Sequence, residues 1–489
     1  MTTRAAPRRL LVSGVGLCFT VAFLSALPQV RGLLGPSGIA PVQSSLRALS
    51  GAWGPWRAGW AVPSVLWLDA SDAALLGLCV LGALAGAVAV GGFLPRWALL
   101  VAWVLHVSLA SAGSVFWHFQ WDALLNEAGL LAVLVAPSGL RPQWTVSPPW
   151  PSWLLLRLLL LRLMVASGAV KLLSGDVTWR NLSALRYHFW TQPLPTPLGI
   201  WVAEWPPRLL DVCCAATLAA ELLAPLCVFG PRAVRRAGAL LLTLLQLVIA
   251  LTGNYGFFNL LSLVLVLAML EDRDLGRLGR WVLSGRPPLA APPAGWPLRL
   301  GAGALAVLGL SAFVQGLGGP EPLAPVLAAL APLDSINRYG LFAVMTTERE
   351  EIRVEVSDDG KRWTPLRFRD KPDDAGASFV APHMPRLDWQ MWFAALGSCR
   401  HSAWFFAFAH RLLQPDAAVW GLLASPQPSR PPRFVASVRR RVLAPARGTA
   451  WPSFEEGGEP FCPTVALQGG RLVPVDVGPP GFEPGTNRL

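Results

Sequence analysis

The chain has 489 residues, of which 53% are hydrophobic and only 14% are charged, and its formal net charge is +12. Soluble domains carry about a quarter charged residues, so this composition excludes an ordinary soluble protein and indicates a polytopic membrane protein. Only three of the 41 basic residues are lysines. The arginines are concentrated in short loops between apolar runs, which favours topology signals over nucleic-acid binding. We therefore expect membrane lipids, and no nucleic acid, among the partners.

Nine apolar runs are long enough to cross about 30 Å of hydrocarbon. The first follows the basic start and ends near Leu27, and we interpret it as an uncleaved helix because it is longer than a signal-peptide core. The others lie near 72–94, 97–113, 120–136, 153–173, 208–229, 237–253, 257–270 and 300–318. The predicted fold is a polytopic α-helical membrane protein with about nine transmembrane helices, occupying residues 1–320.

Arginine placement predicts the orientation of the bundle, because basic residues favour the inner side of a membrane. With the N-terminus inside, the basic start and the RAVRR cluster at 232–236 both fall on that side. Nine crossings then place these segments on the outer, lumenal or periplasmic side: 31–71, 114–119, 174–207, 254–259 and everything after 319.

The C-terminal part has the character of a domain outside the membrane. Residues 350–369 alternate apolar and polar side chains around Asp-Asp-Gly, which predicts a β-hairpin. Two apolar helices are expected at 388–396 and 402–414. We therefore predict a β-rich, β-sandwich-like domain over 321–430. The segment 431–489 is rich in Pro, Arg and Gly without periodicity, and we expect a disordered tail there.

The stretch from Trp153 to Pro197 begins as a transmembrane helix and becomes polar and aromatic after Ser174. Ionisable residues at membrane depth are expensive and usually face a bundle interior or a cavity. Three interpretations stay open: interhelical ion pairing, a site for a ligand or lipid headgroup, and a proton relay. The candidate outer-face polar cluster consists of Asp122, Glu127, Lys171, Trp179, Arg180, Tyr187, His188, Gln192, Asn254 and Asn259.

Other features allow further assignments. Trp389, Trp392 and Phe393 either pack in the core of the outer domain or form a partner surface. Asn181 begins a glycosylation sequon. No zinc-ligand spacing, P-loop, dinucleotide fingerprint or nucleophile-elbow motif occurs in the sequence, so we expect no metal, no cofactor and no assigned catalytic residue. Cys399 and Cys462 can pair if the outer compartment is oxidising.

Several stretches together resemble the lipase maturation factor family, in the order in which that family has them. They are FQWDALLNEAGLLAVLVAP (119–137), RLMVASGAVKL (162–172), WRNLSALRYHFWTQPLPTP (179–197), TGNYGFFNLL (252–261), NRYGLFAVMTTERE (337–350) and APHMPRLDWQMWFAALG (381–397). The pattern is similar to the type 2 factors and to compact bacterial relatives. The resemblance implies an endoplasmic reticulum membrane protein with a lumenal C-terminal domain, or an inner-membrane protein with a periplasmic domain in a bacterium. Better-studied members help dimeric secreted lipases reach their active form.

The chain departs from the family pattern at three places. Trp190 stands where the family has a glutamate, Asn126 replaces an apolar residue, and the tail after Phe434 lacks the Tyr-rich ending. Three functions remain in view. The first, implied by the resemblance, is a membrane maturation factor for secreted clients such as lipases. The second is an intramembrane enzyme acting on a lipid or a protein at the polar cluster. The third is a structural or transport role of the bundle alone.

Overall fold

The computed structural model describes residues 3–372, 376–415, 417–444, 451, 453–455 and 457–479. Most of the described chain is helical. In chain order the α-helices are α1 (Ala5–Ala26), α2 (Val30–Leu34), α3 (Val42–Trp53), α4 (Pro55–Ala61), α5 (Asp72–Gly91), α6 (Pro95–Ala112), α7 (Gln120–Val135), α8 (Trp150–Leu173), α9 (Val177–Arg180), α10 (Leu185–Thr191), α11 (Pro197–Ala203), α12 (Pro207–Leu223), α13 (Arg232–Thr252), α14 (Phe258–Val266), α15 (Asp272–Val282), α16 (Trp296–Gly316), α17 (Ala324–Leu330), α18 (Arg386–Ala395), α19 (Ala403–Leu412) and α20 (Ala417–Trp420).

Seven described helices are long and apolar enough to cross a membrane, namely α1, α5, α6, α8, α12 with its extension to Phe229, α13 and α16. Two shorter ones, α7 and α14, occupy the positions of the fourth and eighth predicted crossings. At about 1.5 Å per residue, the 16 residues of α7 span roughly 24 Å. The prediction of a polytopic helical membrane protein is therefore confirmed, with seven described helices long enough to cross and two shorter ones at the other predicted positions.

Small residues bring α1 and α5 into close contact. A Cβ atom on Gly86 would lie 2.6 Å from the carbonyl oxygen of Gly16, so only glycine fits there. A Cβ atom on Gly82 would lie 2.4 Å from the ring of Phe23. In a bilayer the helices gain little from the hydrophobic effect, and close backbone approach supplies packing energy instead.

One end of the bundle, which we call the arginine face, carries the N-terminus and α15. Arginine side chains there donate to the last carbonyl groups of α5, α7 and the α14 segment, which have no partner within their own helices. A cation at a helix C-terminus also interacts favourably with the helix dipole. These bonds join Arg8 to Val135 (2.7 Å), Arg9 to Val90 (3.1 Å), Arg96 to Ala136 (2.8 Å) and Arg235 to Met269 (2.6 Å).

The opposite end, which we call the sheet-domain face, carries α9–α11, the turn at 254–257 and a sheet. The strands are β1 (Arg349–Ser357), β2 (Thr364–Pro365), β3 (Phe434–Val442), β4 (Glu459–Gln468) and β5 (Arg471–Pro474). They form one antiparallel sheet in the order β2-β1-β3-β4-β5. The helices α18 and α19 pack against it, with the rings of Phe405 and Phe461 5.3 Å apart. The β-rich C-terminal domain is confirmed, and its described strands form a single layer rather than a sandwich of two sheets.

The hairpin at 350–369 is present, with Val356 opposite Thr364. The expected disordered tail at 431–489 is wrong for the described residues, because β3, β4 and β5 all lie within it. The domain boundary at 430 therefore divides one sheet. The sequence does not predict β4 because it contains Pro460 and Pro463, and proline argues against a central strand. Both lie in the half of β4 that pairs with β3 alone, beside a register shift.

Candidate functional site: an interdomain junction and the cavity beside it

A buried ion pair joins the bundle to the sheet domain. Asp122 lies in the first turn of α7, and Arg386 is the first residue of α18. The guanidinium donates to both carboxylate oxygens at 2.8 Å and to the carbonyl of Phe116 at 2.6 Å. It also lies 4.0 Å from the ring centroid of Trp117. Since neither charge reaches water, removing one partner would leave the other uncompensated.

A chain of hydrogen bonds continues from this pair along α7. Asn126 accepts a hydrogen bond from Nδ1 of His106 at 2.7 Å and donates to Asp334 at 3.0 Å. Nε2 of His106 lies 3.6 Å from the Asp122 carboxylate. Burial raises the pKa of Asp334 to about 6. The Asn126 departure from the family pattern thus supplies both a donor and an acceptor between α6 and the chain that leaves α17.

The segment 334–345, which we call the linker, crosses the sheet-domain face and is held by Glu127. This carboxylate pairs with Arg162 of α8. It also accepts hydrogen bonds from the Tyr339 hydroxyl at 2.7 Å and from the Asn337 amide at 3.1 Å. Burial, together with the neighbouring Glu127 charge, raises the pKa of Tyr339 well above its usual value, so the hydroxyl stays a donor.

Two residues near α9 hold the other end of the linker. The Trp179 indole donates to the carbonyl of Phe342 at 2.9 Å, and the Asp176 carboxylate accepts from the Met345 amide at 2.9 Å. Partial burial raises the pKa of Asp176, but hydrogen bonds from Thr178 and from the Met345 and Thr178 amides outweigh it and leave that pKa below its usual range. The linker is therefore fixed along its length.

A buried arginine clamps the segment after α10. Arg349 of β1 donates to the carbonyls of Trp190 at 3.2 Å and Pro193 at 3.0 Å, and also to that of Gln192. Its carboxylate partner is Glu351, 2.8 Å from Nε. At the position where the family has a glutamate, the Trp190 carbonyl thus accepts a hydrogen bond from Arg349. The charge of that arginine is balanced by Glu351 of the same strand.

The turn after α13 binds a second strip of the sheet domain. The Asn254 amide donates to the carbonyls of Leu194 at 3.0 Å and Ser378 at 2.8 Å. Its oxygen accepts from the amides of Val380 at 2.7 Å and Ala381 at 3.1 Å. One buried side chain therefore satisfies four backbone groups and ties the bundle to the sheet domain.

A cavity of about 190 Å³ lies beside this junction, between α8, α10, α12, α13 and the linker. Most of its surface is apolar. Its polar lining consists of Ser167, Lys171, His188, Thr217, Glu221, Gln246, Thr252, Tyr255 and Asn259. Lys171 forms a buried pair with Glu221, with Nζ 2.8 and 2.7 Å from the two oxygens. It also lies 5.2 Å from the Trp179 ring.

The hydrogen-bond network around His188 defines its tautomer. Gln192 donates from Nε2 to the carbonyls of Phe189 and Thr252, so its Oε1 accepts from the Tyr255 hydroxyl at 2.7 Å. The Tyr255 oxygen then accepts from His188 Nε2 at 3.2 Å. Burial and the nearby Lys171 charge lower the pKa of His188 to about 4. The imidazole is therefore neutral at physiological pH, with its Nδ1 left as an acceptor.

The predicted polar cluster divides between these two structures. Lys171, Trp179, His188 and Asn259 line the cavity. Asp122, Glu127, Gln192 and Asn254 hold the junction, as described above. Arg180 and Tyr187 belong to neither structure. Arg180 is exposed and donates to the Leu172 carbonyl. The expectation of one outer polar site is therefore wrong in its geometry, because Asp122 and Glu127 point from α7 towards different arginines.

The proposed partner surface is wrong for two of its three residues. Trp389 and Trp392 are 3% and 7% exposed. Trp392 donates to the carbonyl of Thr191 at 3.0 Å, and Trp389 packs edge-on against Trp121 with centroids 4.7 Å apart. Phe393 alone is exposed, at 41%. These tryptophans thus fill the space between the sheet domain and the bundle.

The remaining candidate residues are also placed. Cys399 and Cys462 form a disulfide with their Cα atoms 5.3 Å apart, which links the start of α19 to β4. Asn181 is exposed, and its side chain accepts from the Ser183 amide at 3.0 Å. Within the described part of the chain, no group of three His, Cys, Asp or Glu side chains is placed to hold a metal ion.

Several residues of the junction were not among the predicted site residues, and the arginines matter most. Arg386 lies inside the block 381–397 that carries the resemblance, where the aromatic residues give the stronger pattern. Glu351 lies within the predicted hairpin at 350–369, and Arg349 lies just before it. A usable signal existed: strongly apolar or aromatic surroundings make a buried arginine a candidate partner for the carboxylates of α7.

Together, the fold and the junction define a polytopic membrane protein whose extramembrane sheet domain is fixed to one face of the bundle by buried charges. The lipase maturation factor transmembrane-domain model matches residues 6–277, and the lipase maturation factor C-terminal-domain model matches residues 335–441. The chain therefore belongs to the lipase maturation factor family.

Curated relatives align with the chain over most of their length. The chain is 33% identical to human lipase maturation factor 2, with 94% of the chain and 83% of that protein covered. It is 31% identical to the mouse type 2 protein, covering 96% and 84%, and 29% identical to human lipase maturation factor 1, covering 87% and 80%. No solved structure matches the chain. The strands β4 and β5 lie beyond the C-terminal family match.

Proposed function

We propose that this protein is a membrane-embedded maturation factor that assists the folding or assembly of secreted clients, lipases among them. Family membership supports this role, since the relatives carry the name lipase maturation factor. The observation that carries the proposal is the rigid junction: Asp122–Arg386, Glu127 with the linker, and Asn254 hold a folded domain against the bundle. Such a platform can present a client-binding surface at a fixed distance from the membrane.

A surface for clients is available on the same side of the protein. The helices α3 and α4 expose Trp53, Trp56 and Trp60 at 55%, 92% and 53%, and Leu68 after them is 91% exposed. The Trp60 indole donates to Ala329 of α17. Exposed aromatic side chains bind apolar segments of other proteins, although they also anchor helices in lipid headgroups. We assign them to incompletely folded clients.

The sheet domain is proposed to lie in the lumen of the endoplasmic reticulum, or in the periplasm of a bacterium. The Cys399–Cys462 disulfide is consistent with an oxidising compartment. The arginines of the opposite face agree with the positive-inside tendency. In sealed vesicles an impermeant maleimide should label Gly51→Cys, on the side of the sheet domain, only from the lumenal side. It should label Arg277→Cys only from the cytoplasmic side, and the reverse pattern would contradict the orientation.

The enzyme hypothesis gains little from this geometry. Asp122 and Glu127 are engaged by arginines, and Lys171 is paired with Glu221. These are the contacts of structural ion pairs, as the first interpretation of the polar residues predicted. Asp122, Glu127 and Lys171 are therefore not free to act as a general base or a nucleophile.

The proposal can be tested in cells whose own lipase maturation factors have been disrupted. Co-expression with a secreted lipase should raise the activity of that lipase per molecule in the medium. Arg386→Ala, which breaks the junction, should abolish this gain. The matched control Arg441→Ala removes an exposed pair with Glu348 and should leave the gain intact. Wild-type protein that reaches the membrane without raising lipase activity would contradict the role.

Client contact is tested separately with a photoreactive amino acid at position 56. Cross-links to the nascent lipase support α3 and α4 as the client surface. Cross-links to lipid alone assign these tryptophans to membrane anchoring and remove them from the proposal.

A further inference from the structure

The cavity beside the junction is open to a different role from that of the junction itself. One wall is formed by α12 and α13, and Val248 of this wall is 55% exposed on the side of α13 that faces the bilayer. Its neighbours Leu244, Leu247 and Leu251 are between 44% and 51% exposed. The polar lining comes from α8, from α10, from the turn after α13 and from the inward sides of α12 and α13. The cavity thus has polar groups inside the bundle and an exposed apolar surface of α13 beside it, an arrangement that suits an amphiphile.

The cationic side chain that lines this cavity, Lys171, is already paired. The Lys171 ammonium spends its three protons on Ser167 O at 3.1 Å and on the two Glu221 oxygens. The pair is neutral overall. An anionic headgroup would therefore find no unpaired cation among the described lining residues, and it would meet the Glu221 carboxylate. Fatty acids and phospholipid phosphates are poor ligands for such a lining.

Acceptors, by contrast, remain. The network through Tyr255 and Gln192 places the His188 proton on Nε2, and no described residue hydrogen-bonds Nδ1. The Thr217 hydroxyl donates to Cys213 at 2.9 Å, which leaves its oxygen lone pairs available. A ligand that donates hydrogen bonds without carrying charge complements this lining.

We propose that the cavity binds the head of an uncharged, hydroxyl-bearing membrane lipid, such as a diacylglycerol or a sterol, which enters between α12 and α13. A volume of about 190 Å³ has room for roughly six groups the size of a water molecule. That space accommodates a glycerol-sized head, while the hydrocarbon remains against α13 and the bilayer. This site is independent of the client-folding role, since it uses none of the junction contacts of Asp122 or Arg386.

Photolabelling tests the site in purified protein in lipid nanodiscs. The probe is a diacylglycerol with a photoreactive acyl chain, and its partner probe carries a methyl group on the free hydroxyl. We expect labelling within residues 207–252 and about fivefold preference for the free hydroxyl, the effect of one hydrogen bond. Excess oleic acid should not compete. Competition by unlabelled diacylglycerol identifies a glyceride ligand, and competition by cholesterol alone identifies a sterol.

Three variants separate the site from general lipid contact. Thr217→Phe fills the cavity and should abolish labelling, whereas Thr243→Phe, at a half-buried position of α13 outside the cavity, should not. His188→Phe should retain labelling but lose the preference between the two probes. Equal labelling of both probes by the wild type, or labelling that survives Thr217→Phe, would overturn the proposal. Displacement by oleic acid would overturn the uncharged ligand class.

Discussion

The Asp122–Arg386 pair makes the strongest prediction about stability. Arg386→Ala removes two 2.8 Å hydrogen bonds to the carboxylate, one to Phe116 and the contact with the Trp117 ring. The carboxylate remains with His106 at 3.6 Å as its nearest cation candidate. Breaking a buried ion pair in this way costs about 3–5 kcal/mol. We expect that amount to be lost from the docking of the sheet domain.

Hydrogen exchange measures this loss directly. Amides of the linker and of α18 exchange when the sheet domain opens from the bundle, so their opening free energy reports docking. A loss of 3–5 kcal/mol corresponds to exchange at least a hundredfold faster, since each 1.4 kcal/mol is about a factor of ten. Amides near the arginine face, such as those of α15, should be unchanged.

A charge-neutral double variant tests the physical reason. Asp122→Asn with Arg386→Gln removes both charges and keeps hydrogen-bonding groups at both positions. It should recover about 2 kcal/mol or more relative to Arg386→Ala, because no uncompensated charge remains. If Arg386→Ala changes exchange less than about fivefold, the pair does not hold the domain. If the double variant is no better than the single one, burial of the charge is not the cause.

Three further predictions concern other contacts of the sheet domain. Asn254→Ala leaves the Ser378 carbonyl and the Val380 and Ala381 amides without a partner, whereas the Leu194 carbonyl keeps the backbone amide of residue 254. It should weaken the docking of 378–381 by about 2–4 kcal/mol, measured by exchange at Val380, with little effect elsewhere. Burial raises the pKa of Asp388 to about 7. The folded chain therefore binds this proton more tightly than the unfolded chain does, and the free energy of unfolding should fall as the pH rises from about 4 towards 7. Asp388→Asn should flatten that dependence of Tm, and an unchanged slope would contradict it. Cys462→Ser removes the disulfide that links positions 63 residues apart, and should lower the stability of the sheet domain by about 2–4 kcal/mol. Proteolysis of the sheet domain should then be faster, and added reductant should affect the wild type but not the variant.

The transmembrane helices can be predicted from the sequence because a bilayer imposes the same local requirement on each of them. Each crossing needs a long apolar run whose backbone bonds are internal, and runs such as 153–173 show this directly. Residues at membrane depth were also recognisable as buried and paired. Their partners were not, since Asp122 and Arg386 are separated by 264 positions and no local pattern links them.

The sheet domain was less accessible for a different physical reason. The hairpin at 350–369 has alternation and a turn, whereas β3 contains Arg439, Arg440 and Arg441 in a row, and β4 contains two prolines. These strands form because partners on the sheet accommodate them: Arg439 lies opposite Ile352 and Arg440 opposite Glu351. The aromatic residues of α18 were similarly ambiguous, because core and partner surfaces favour the same side chains.

The separation of Asp122 from Arg386 also has a consequence for biosynthesis. A ribosome adds about 5–20 residues per second, so α7 enters the membrane roughly 10 to 50 seconds before its arginine has been made. During that interval a carboxylate inside the bundle has no guanidinium to neutralise it. Nascent chains truncated before residue 386 should therefore display an incompletely closed bundle to cellular quality control. Docking of α18 is then the step that supplies the missing guanidinium and closes the bundle.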